Sequence, residues 1–301
     1  MDKILLIDTL NFIWRANISF APKKKEATTT LEPADSEWTM RGDPSPQQQP
    51  EPTDEDYVVV FNFFRNLRPI IELFSPDKCF AVLEGHPQFR YDLFADYKAN
   101  RIIKRASKSK ENLDKFSFGK DEILRLMQHL PITTVRASQY EADDTIASLC
   151  HDMRDEHLTI LSNDSDYIQL LQRGYANCRI YNPIKKTFMV APTYLYVQHK
   201  SLVGDKSDNI PRLVSDKKAL DYCTDPASFA SYMNIEENRA LFSINRKLIE
   251  FASIPLEEIE FNEGTRDFTA LRQEFRRMKF ESIINDNSWV KYTKTFNCLK
   301  Y

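Results

Sequence analysis

Three short apolar runs, each followed by a carboxylate, constrain this sequence more than any other feature. Residues 3–8 read Lys-Ile-Leu-Leu-Ile-Asp, residues 79–84 read Cys-Phe-Ala-Val-Leu-Glu, and residues 158–164 read Leu-Thr-Ile-Leu-Ser-Asn-Asp. Short continuous runs of this kind are typical of strands buried on both faces. Helical segments alternate with them, which predicts an α/β fold with a mostly parallel central sheet flanked by helices. The acids would then meet at one edge of that sheet, outside the carboxyl ends of the strands.

The shortage of glycine excludes several classes of nucleotide-dependent enzyme. The chain has 6 glycines in 301 residues, all widely spaced, whereas a dinucleotide fingerprint and a P-loop both need clustered glycines around phosphate. The 5 cysteines form no Cys-x-x-Cys pair and the 5 histidines no His-Glu-x-x-His motif, so a zinc site of recognisable spacing is absent. Scattered cysteines fit a reducing compartment, and no apolar run has the length of a membrane helix. We therefore expect a cytoplasmic protein.

The composition predicts two parts and one insertion. Residues 1–199 carry the alternating strands and helices, and residues 200–301 read mostly as helices, which predicts an α/β domain followed by a helical C-terminal subdomain. Residues 22–56 are rich in proline and poor in aliphatic side chains. Such a segment cannot bury enough apolar surface to offset its ordering entropy, so we expect a disordered insertion, with a partner-binding segment as the alternative. Residues 98–110 contain several bases and no acid.

Three acids open the helix that is predicted over residues 140–153. Glu141 and Asp143 can share one site only if Glu141 precedes the regular helix, because positions i and i+2 of a helix point in nearly opposite directions. Asp144 follows directly. The positive end of the helix dipole favours acids at this point, so the group by itself also fits ordinary capping residues.

A further pair of acids lies on one turn. Pro211 disfavours helix at the residue before it, so Asp205 and Asp208 lie on an isolated turn where side chains three residues apart meet. By itself this pair also fits an ordinary turn. Together with the acids at the strand ends, it makes a concentration of carboxylates that repel one another unless cations neutralise them. Oxygen ligands alone favour Mg²⁺ or Mn²⁺ over zinc or copper.

The series of motifs resembles the flap endonuclease and 5′→3′ exonuclease family, and most of all its ribonuclease H branch from T-even-type bacteriophages. The motifs are Leu6–Asp8, Tyr97–Arg101, Tyr140–Asp144, Ser162–Asp166 and Val203–Asn209. The resemblance covers residues 3–211. It implies an enzyme of DNA replication that hydrolyses phosphodiesters at 5′ ends, flaps and RNA primers, with exonuclease, flap endonuclease and RNase H activity. If the source is viral, the compartment is the host cytoplasm.

The resemblance also implies two divalent cations, Mg²⁺ or Mn²⁺, and the residues that hold them. Around the first cation it places Asp8, Glu84, Glu141, Asp143 and Asp164. Around the second it places Asp166, Asp205 and Asp208, with Asp144 reaching it through water. Asp164 is a central ligand and Lys98 a catalytic cation. Two such ions fit an in-line attack on a phosphodiester.

The basic segment is implied to begin a helical arch over residues 97–118. Tyr97 would stack on a base and Lys98 would meet the scissile phosphate. The implied substrate-binding set is Tyr97, Lys98, Arg101, Lys104 and Arg105. An aromatic side chain beside cations suits single-stranded nucleic acid. Further candidate contacts to the DNA backbone are Arg90, Arg272, Arg276, Arg277 and Lys279.

Two departures from the family pattern keep other functions open. Glu84 stands where most members have Asp, and residues 212–219 contain no glycine where the family usually has a glycine-rich helix–hairpin–helix. The alternatives are a catalytically weak or inactive DNA-junction-binding protein and a single-strand RNase of the related PIN type. The expected substrates are DNA and RNA–DNA hybrids with forks or flaps. By resemblance, a sliding clamp and a single-strand-binding protein are the expected protein partners, and the chain itself is expected to be a monomer.

Overall fold

One seven-stranded sheet organises the protein. The computed structural model describes residues 1–18, 52–101, 109–175 and 177–300. Its strands are β1 Lys3–Asp8, β2 Lys78–Leu83, β3 Thr133–Arg136, β4 His157–Leu161, β5 Cys178–Asn182, β6 Thr187–Phe188 and β7 Glu260–Glu263. Their order across the sheet is β6-β5-β4-β1-β2-β3-β7. The five inner strands are parallel and the two edge strands antiparallel, which confirms the predicted mostly parallel α/β sheet.

Helices follow most of the strands and cover both faces of the sheet. Those of the first two thirds are α1 Thr9–Ile18, α2 Val58–Phe74, α3 Gln88–Leu93, α4 Lys110–Met127, α5 Ala142–Asp152, α6 Ile168–Gln172 and α7 Tyr196–Val203. Those of the last third are α8 Asp216–Thr224, α9 Pro226–Met233, α10 Glu236–Ile249, α11 Phe268–Arg277, α12 Glu281–Ile284 and α13 Asp286–Asn297. Short 3₁₀ helices cover Asp54–Tyr57, Ser165–Tyr167 and Leu256–Glu258. Most of the insertion predicted at 22–56 lies outside the described residues.

The central strand β1 explains where a site can form. Its residues Ile4 to Ile7 are almost fully buried, since helices cover both faces of the sheet. β2 lies on one side of β1 and β4 on the other, so the strand order changes direction at β1. In open α/β sheets, ligands bind in the crevice that forms at this point, outside the carboxyl ends of the strands.

The C-terminal third packs onto the same sheet. β7 pairs with β3, and Phe275 and Phe296, both 0% exposed, belong to one apolar core with Leu5 and α2. The core therefore continues across the boundary expected at residue 199. Sequence reasoning missed β7 because its four residues, Glu-Phe-Asn-Glu, are all exposed and carry no apolar alternation.

Candidate metal centre

The sheet brings the three strand-end acids to one edge, as the apolar runs predict. Asp8 is the last residue of β1, Glu84 directly follows β2, and Asp164 comes three residues after β4. β2 and β4 flank β1 in parallel, so these acids surround the point where the strand order changes direction. Burial raises the pKa of both Glu84 and Asp164, and the charge of Asp8 adds to each shift, so both carboxyls lie within electrostatic reach of Asp8.

Asp8 is held by neighbours from its own and an adjacent strand end. Its Oδ2 accepts a hydrogen bond from Ser162 Oγ at 3.0 Å and one from the Tyr167 hydroxyl at 3.3 Å. The backbone N–H of Asn11 donates to its Oδ1 at 3.1 Å. Burial raises the pKa of Asp8, and these hydrogen bonds oppose the shift. The carboxylate is therefore fixed in orientation but not neutralised.

Gly85 lets the end of β2 lie directly against the segment before α5. Its N–H donates to Tyr140 O at 2.9 Å, and Ala142 N–H donates to Glu84 Oε2 at the same distance. A Cβ atom at Gly85 would lie 2.1 Å from Ala137 O. Only glycine permits this approach, which holds Glu84 at the beginning of α5.

Glu141 lies outside the regular helix, as the sequence predicts. It is the N-cap of α5 with extended backbone angles, φ −77° and ψ 163°. One carboxylate oxygen from each of Glu141, Asp143 and Asp144 lies within 4.8 Å of the others. The cap thus brings together two acids that a continuous helix would point apart.

Buried cations surround Glu141. Arg90 Nη1 and the Tyr97 hydroxyl each donate to its Oε2 at 2.9 Å, and Lys98 Nζ forms an ion pair with its Oε1. Tyr97 is only 2% exposed and packs against Ile210. The phenol therefore orients a carboxylate in this structure. Base stacking by the buried ring stays a prediction.

Asp144 is likewise held by buried donors. It is 0% exposed and accepts from Arg90 Nη2 at 2.7 Å and from Ala252 N–H at 2.8 Å on one oxygen. Its other oxygen accepts from Arg90 Nη1 at 2.5 Å. Both oxygens of Asp144 thus accept from buried donors, although Asp144 also belongs to the group of three acids whose oxygens lie close enough to hold a cation. Its water-mediated contact to a second cation stays a prediction. Arg90 is 1% exposed, so the expectation that it contacts a DNA backbone is wrong.

A second group of acids lies beside the first and is already paired with bases. Lys200 Nζ forms ion pairs with Asp166 Oδ1 and, at 2.8 Å, with Asp205 Oδ2. Arg101 forms an ion pair with Asp208 Oδ1. Sequence reasoning named Arg101 only as a DNA contact and did not single out Lys200. Lys104 and Arg105 lie outside the described residues.

The pKa values divide these acids into an uncompensated and a compensated set. Burial raises the pKa of Glu84 to about 8 and that of Asp164 to about 7, and neighbouring acids add to both shifts. Burial, together with Asp144 and Glu141, raises the pKa of Asp143 well above its usual range. The uncompensated set is Asp8, Glu84, Asp143 and Asp164, none of which forms an ion pair with a base among the described residues.

Three acids that pair with bases, Glu141, Asp205 and Asp208, show the opposite shift. Burial by itself would raise the pKa of Glu141, but Lys98 and Arg90 lower it overall. Burial by itself would raise the pKa of Asp205, but Lys200 lowers it overall. Burial would also raise the pKa of Asp208, but Lys98 and Arg101 lower it overall. Carboxylate oxygens that lack a cation partner among the described residues are chemically suited to a hard divalent cation.

Comparison with known proteins assigns the chain to a nuclease family. Residues 3–200 match the family model described as 5′-3′ exonuclease, N-terminal resolvase-like domain. The chain belongs to this family, whose members hydrolyse phosphodiesters.

Curated relatives are similar over the same region. A 5′-3′ exonuclease of Bacillus subtilis is 29% identical over 227 residues, which cover 65% of this chain and 73% of that protein. A DNA polymerase I of Streptococcus pneumoniae is 29% identical over 194 residues, 59% of this chain. The matched region spans 21% of that polymerase.

Solved structures share the fold along the whole chain. A bacteriophage T5 flap endonuclease in complex with DNA and metal ions superposes with a TM-score of 0.60 at 14% identity, covering 98% of each chain. Flap endonuclease-1 from Methanococcus jannaschii gives 0.62 at 10% identity, covering 99% of this chain and 93% of that one. These likenesses confirm the predicted fold. No helix among the described residues has the length and apolar character needed to cross a bilayer.

Proposed function

We propose that this chain is a divalent-cation-dependent 5′→3′ nuclease. It hydrolyses phosphodiesters at 5′ ends, at flaps and in RNA primers paired to DNA. The observation that carries the proposal is the uncompensated set, four acids from different elements that lie at the carboxyl edge of a parallel sheet and form no ion pair with a base in the described part of the chain. Membership of the 5′-3′ exonuclease family supports the reaction class.

The uncompensated set would hold Mg²⁺ or Mn²⁺, with Glu141 at its border. When bound, the cation would supply a nucleophilic hydroxide and charge stabilisation of the phosphodiester. Ser162 and Tyr167 orient Asp8, and the Ala142 N–H orients Glu84. These side chains are therefore preorganised, which lowers the cost of assembling the site when substrate arrives.

Lys98 is the residue best placed to receive the substrate phosphate. Its backbone N–H donates to Asp208 O at 2.9 Å with φ at 57°, and its ammonium pairs with Glu141. The turn thus fixes the lysine between both acidic groups. We infer that the scissile phosphate shares this ammonium with Glu141 and that its developing charge is stabilised there.

The same proposal covers the rest of the substrate path. Arg101 follows Lys98 by three residues, and Lys104 and Arg105 continue the basic segment within the arch expected over 97–118. The helices after residue 200 would contact duplex DNA through basic side chains. RNA–DNA hybrids, a sliding clamp, a single-strand-binding protein and a monomeric state stay predictions.

The test is cleavage of a defined set of nucleic acids. The protein is incubated with a 5′-flap duplex, a blunt duplex, a single strand and an RNA–DNA hybrid, each with Mg²⁺, Mn²⁺ or EDTA. We expect cleavage of the flap and the hybrid from the 5′ side with either cation and none in EDTA. Full activity in EDTA would contradict the cation dependence, and tight binding without cleavage would favour the junction-binding alternative.

Asp164→Asn is the informative variant, with Asp121→Asn as its matched control. Asp164 lies in the uncompensated set, whereas the Asp121 side chain is 65% exposed on α4. Loss of a central ligand should lower turnover by about a hundredfold or more while binding persists, because the substitution also reduces repulsion of phosphate. Normal turnover of Asp164→Asn would place this residue outside the site.

A further inference from the structure

Lys200 lies between the two acids that the family resemblance assigns to a second cation. Its ammonium contacts Asp166 Oδ1 and lies 2.8 Å from Asp205 Oδ2, and its side chain is 13% exposed. The Tyr196 hydroxyl, one turn earlier on α7, donates to the same Asp166 oxygen at 2.9 Å. A lysine on the core side of α7 thus neutralises acids that a divalent cation would otherwise bind.

We propose that Lys200 occupies the second cation position and that a second divalent cation binds there only by displacing it. This inference rests on the proposed function, since it concerns the second ion of the same reaction. A Mg²⁺ or Mn²⁺ ion binds carboxylate oxygens at about 2 Å, so it cannot share two oxygens with an ammonium that contacts both. Two positive centres so close together also repel strongly in a partly buried place.

Asp208, the third acid of this group, is also paired with a base. Asp208 Oδ1 is held by Arg101 and accepts from Ser207 Oγ at 3.1 Å. Each of the three carboxylates in the second group is therefore already paired with a base, in contrast to the uncompensated set. We therefore expect a divalent cation to bind first at the uncompensated set. A second cation binds at the Lys200 position only against the positive charge of the lysine.

The test measures Mn²⁺ binding to the whole chain without nucleic acid, by electron paramagnetic resonance of free Mn²⁺ and by calorimetry. The variants are Lys200→Met and Lys200→Gln, with Lys200→Arg to restore the charge and Lys206→Met as an exposed control on the neighbouring turn. Thermal melting of each variant verifies folding, and two neutral variants guard against misfolding of one.

We expect the wild-type protein to bind one Mn²⁺ tightly and a second much more weakly. Removing the ammonium should tighten the second site by roughly tenfold or more, because one positive charge is lost at contact distance. Lys200→Arg and Lys206→Met should behave like the wild type. The first site should keep its affinity in every variant.

Two results would overturn the inference. One is two equally tight sites in the wild type, and the other is unchanged weak binding in both folded neutral variants. If instead no Mn²⁺ binds to the wild-type protein at all, the proposed function itself fails. The two failures are therefore distinguishable.

Discussion

Gly85→Ala should damage both stability and cation binding. The added Cβ would lie 2.1, 2.4 and 2.7 Å from the carbonyl oxygens of Ala137, Tyr140 and Ser138, all backbone atoms that cannot rotate away. Overpacking of this kind costs about 1–3 kcal/mol. Moving the segment away also breaks the Gly85–Tyr140 and His86–Ser138 hydrogen bonds of 2.9 and 2.8 Å, at about 1 kcal/mol each. The total of about 3–5 kcal/mol is a large part of a typical stability.

The assay pairs urea unfolding with Mn²⁺ calorimetry. The unfolding midpoint should fall in proportion to the lost free energy, and Mn²⁺ affinity should fall by about tenfold or more, because Glu84 loses its place beside the Ala142 N–H. Gly174→Ala is the control: apart from its chain neighbours, no described atom lies within 4 Å of a Cβ added at Gly174, although φ is +78°. That backbone strain should cost about 1–2 kcal/mol and leave Mn²⁺ binding unchanged.

The reasoning is refuted by a folded Gly85→Ala protein with wild-type stability and wild-type Mn²⁺ affinity. Such a result would mean that the segment before α5 moves freely and that contact with β2 does not position Glu84. A loss of stability with normal cation affinity would refute the positioning role alone.

Four further outcomes are expected. Lys98→Ala should lower single-turnover cleavage of a 5′-flap by about a hundredfold with little loss of affinity measured in Ca²⁺; an equal loss in the exposed control Lys110→Ala would contradict this. Mn²⁺ affinity should rise from pH 6 to pH 8.5, since Glu84 and Asp164, with pKa values of about 8 and 7, must lose protons to bind. Because these pKa values are raised on folding, the cation-free protein should lose stability over the same pH range, and identical melting temperatures in EDTA at both pH values would argue against the shifts. Arg90→Met should destabilise by about 3–5 kcal/mol in urea unfolding, because the buried Asp144 loses its base and Glu141 keeps only Lys98; an effect below about 1 kcal/mol would show that water replaces the guanidinium.

The sequence predicts the carboxylate edge well because the signals are local. A buried run and the acid that follows it identify the end of a strand, and parallel pairing then brings Asp8, Glu84 and Asp164 to one edge. The convergence of Glu141 with Asp143 follows from the geometry at the beginning of a helix, which is also local.

The bases that pair with the acids of the site are harder to predict from the sequence. Lys200 pairs with an acid 34 residues away, and Arg90 with one 54 residues away. No periodic pattern marks such long-range pairs, although the spacing of Tyr196 and Lys200 by one helical turn is a signal that could have been used. The burial of Tyr97 could not be predicted, because an aromatic beside bases fits both a base-stacking residue and a buried one. Only packing distinguishes these possibilities.

The contacts of Arg90 and Asp144 link the site to residues far beyond the matched family region. Arg90 Nε donates to Leu248 O at 3.1 Å, and Ala252 N–H donates to Asp144. When a ribosome has released only the first 200 residues, every carboxylate of the uncompensated set has been made. The backbone groups of Leu248 and Ala252, which hold Arg90 and Asp144, have not. A truncated chain ending near residue 200 would thus expose a charged arginine–aspartate pair to water. The unit recognised by sequence similarity is shorter than the unit that must fold before the site is complete.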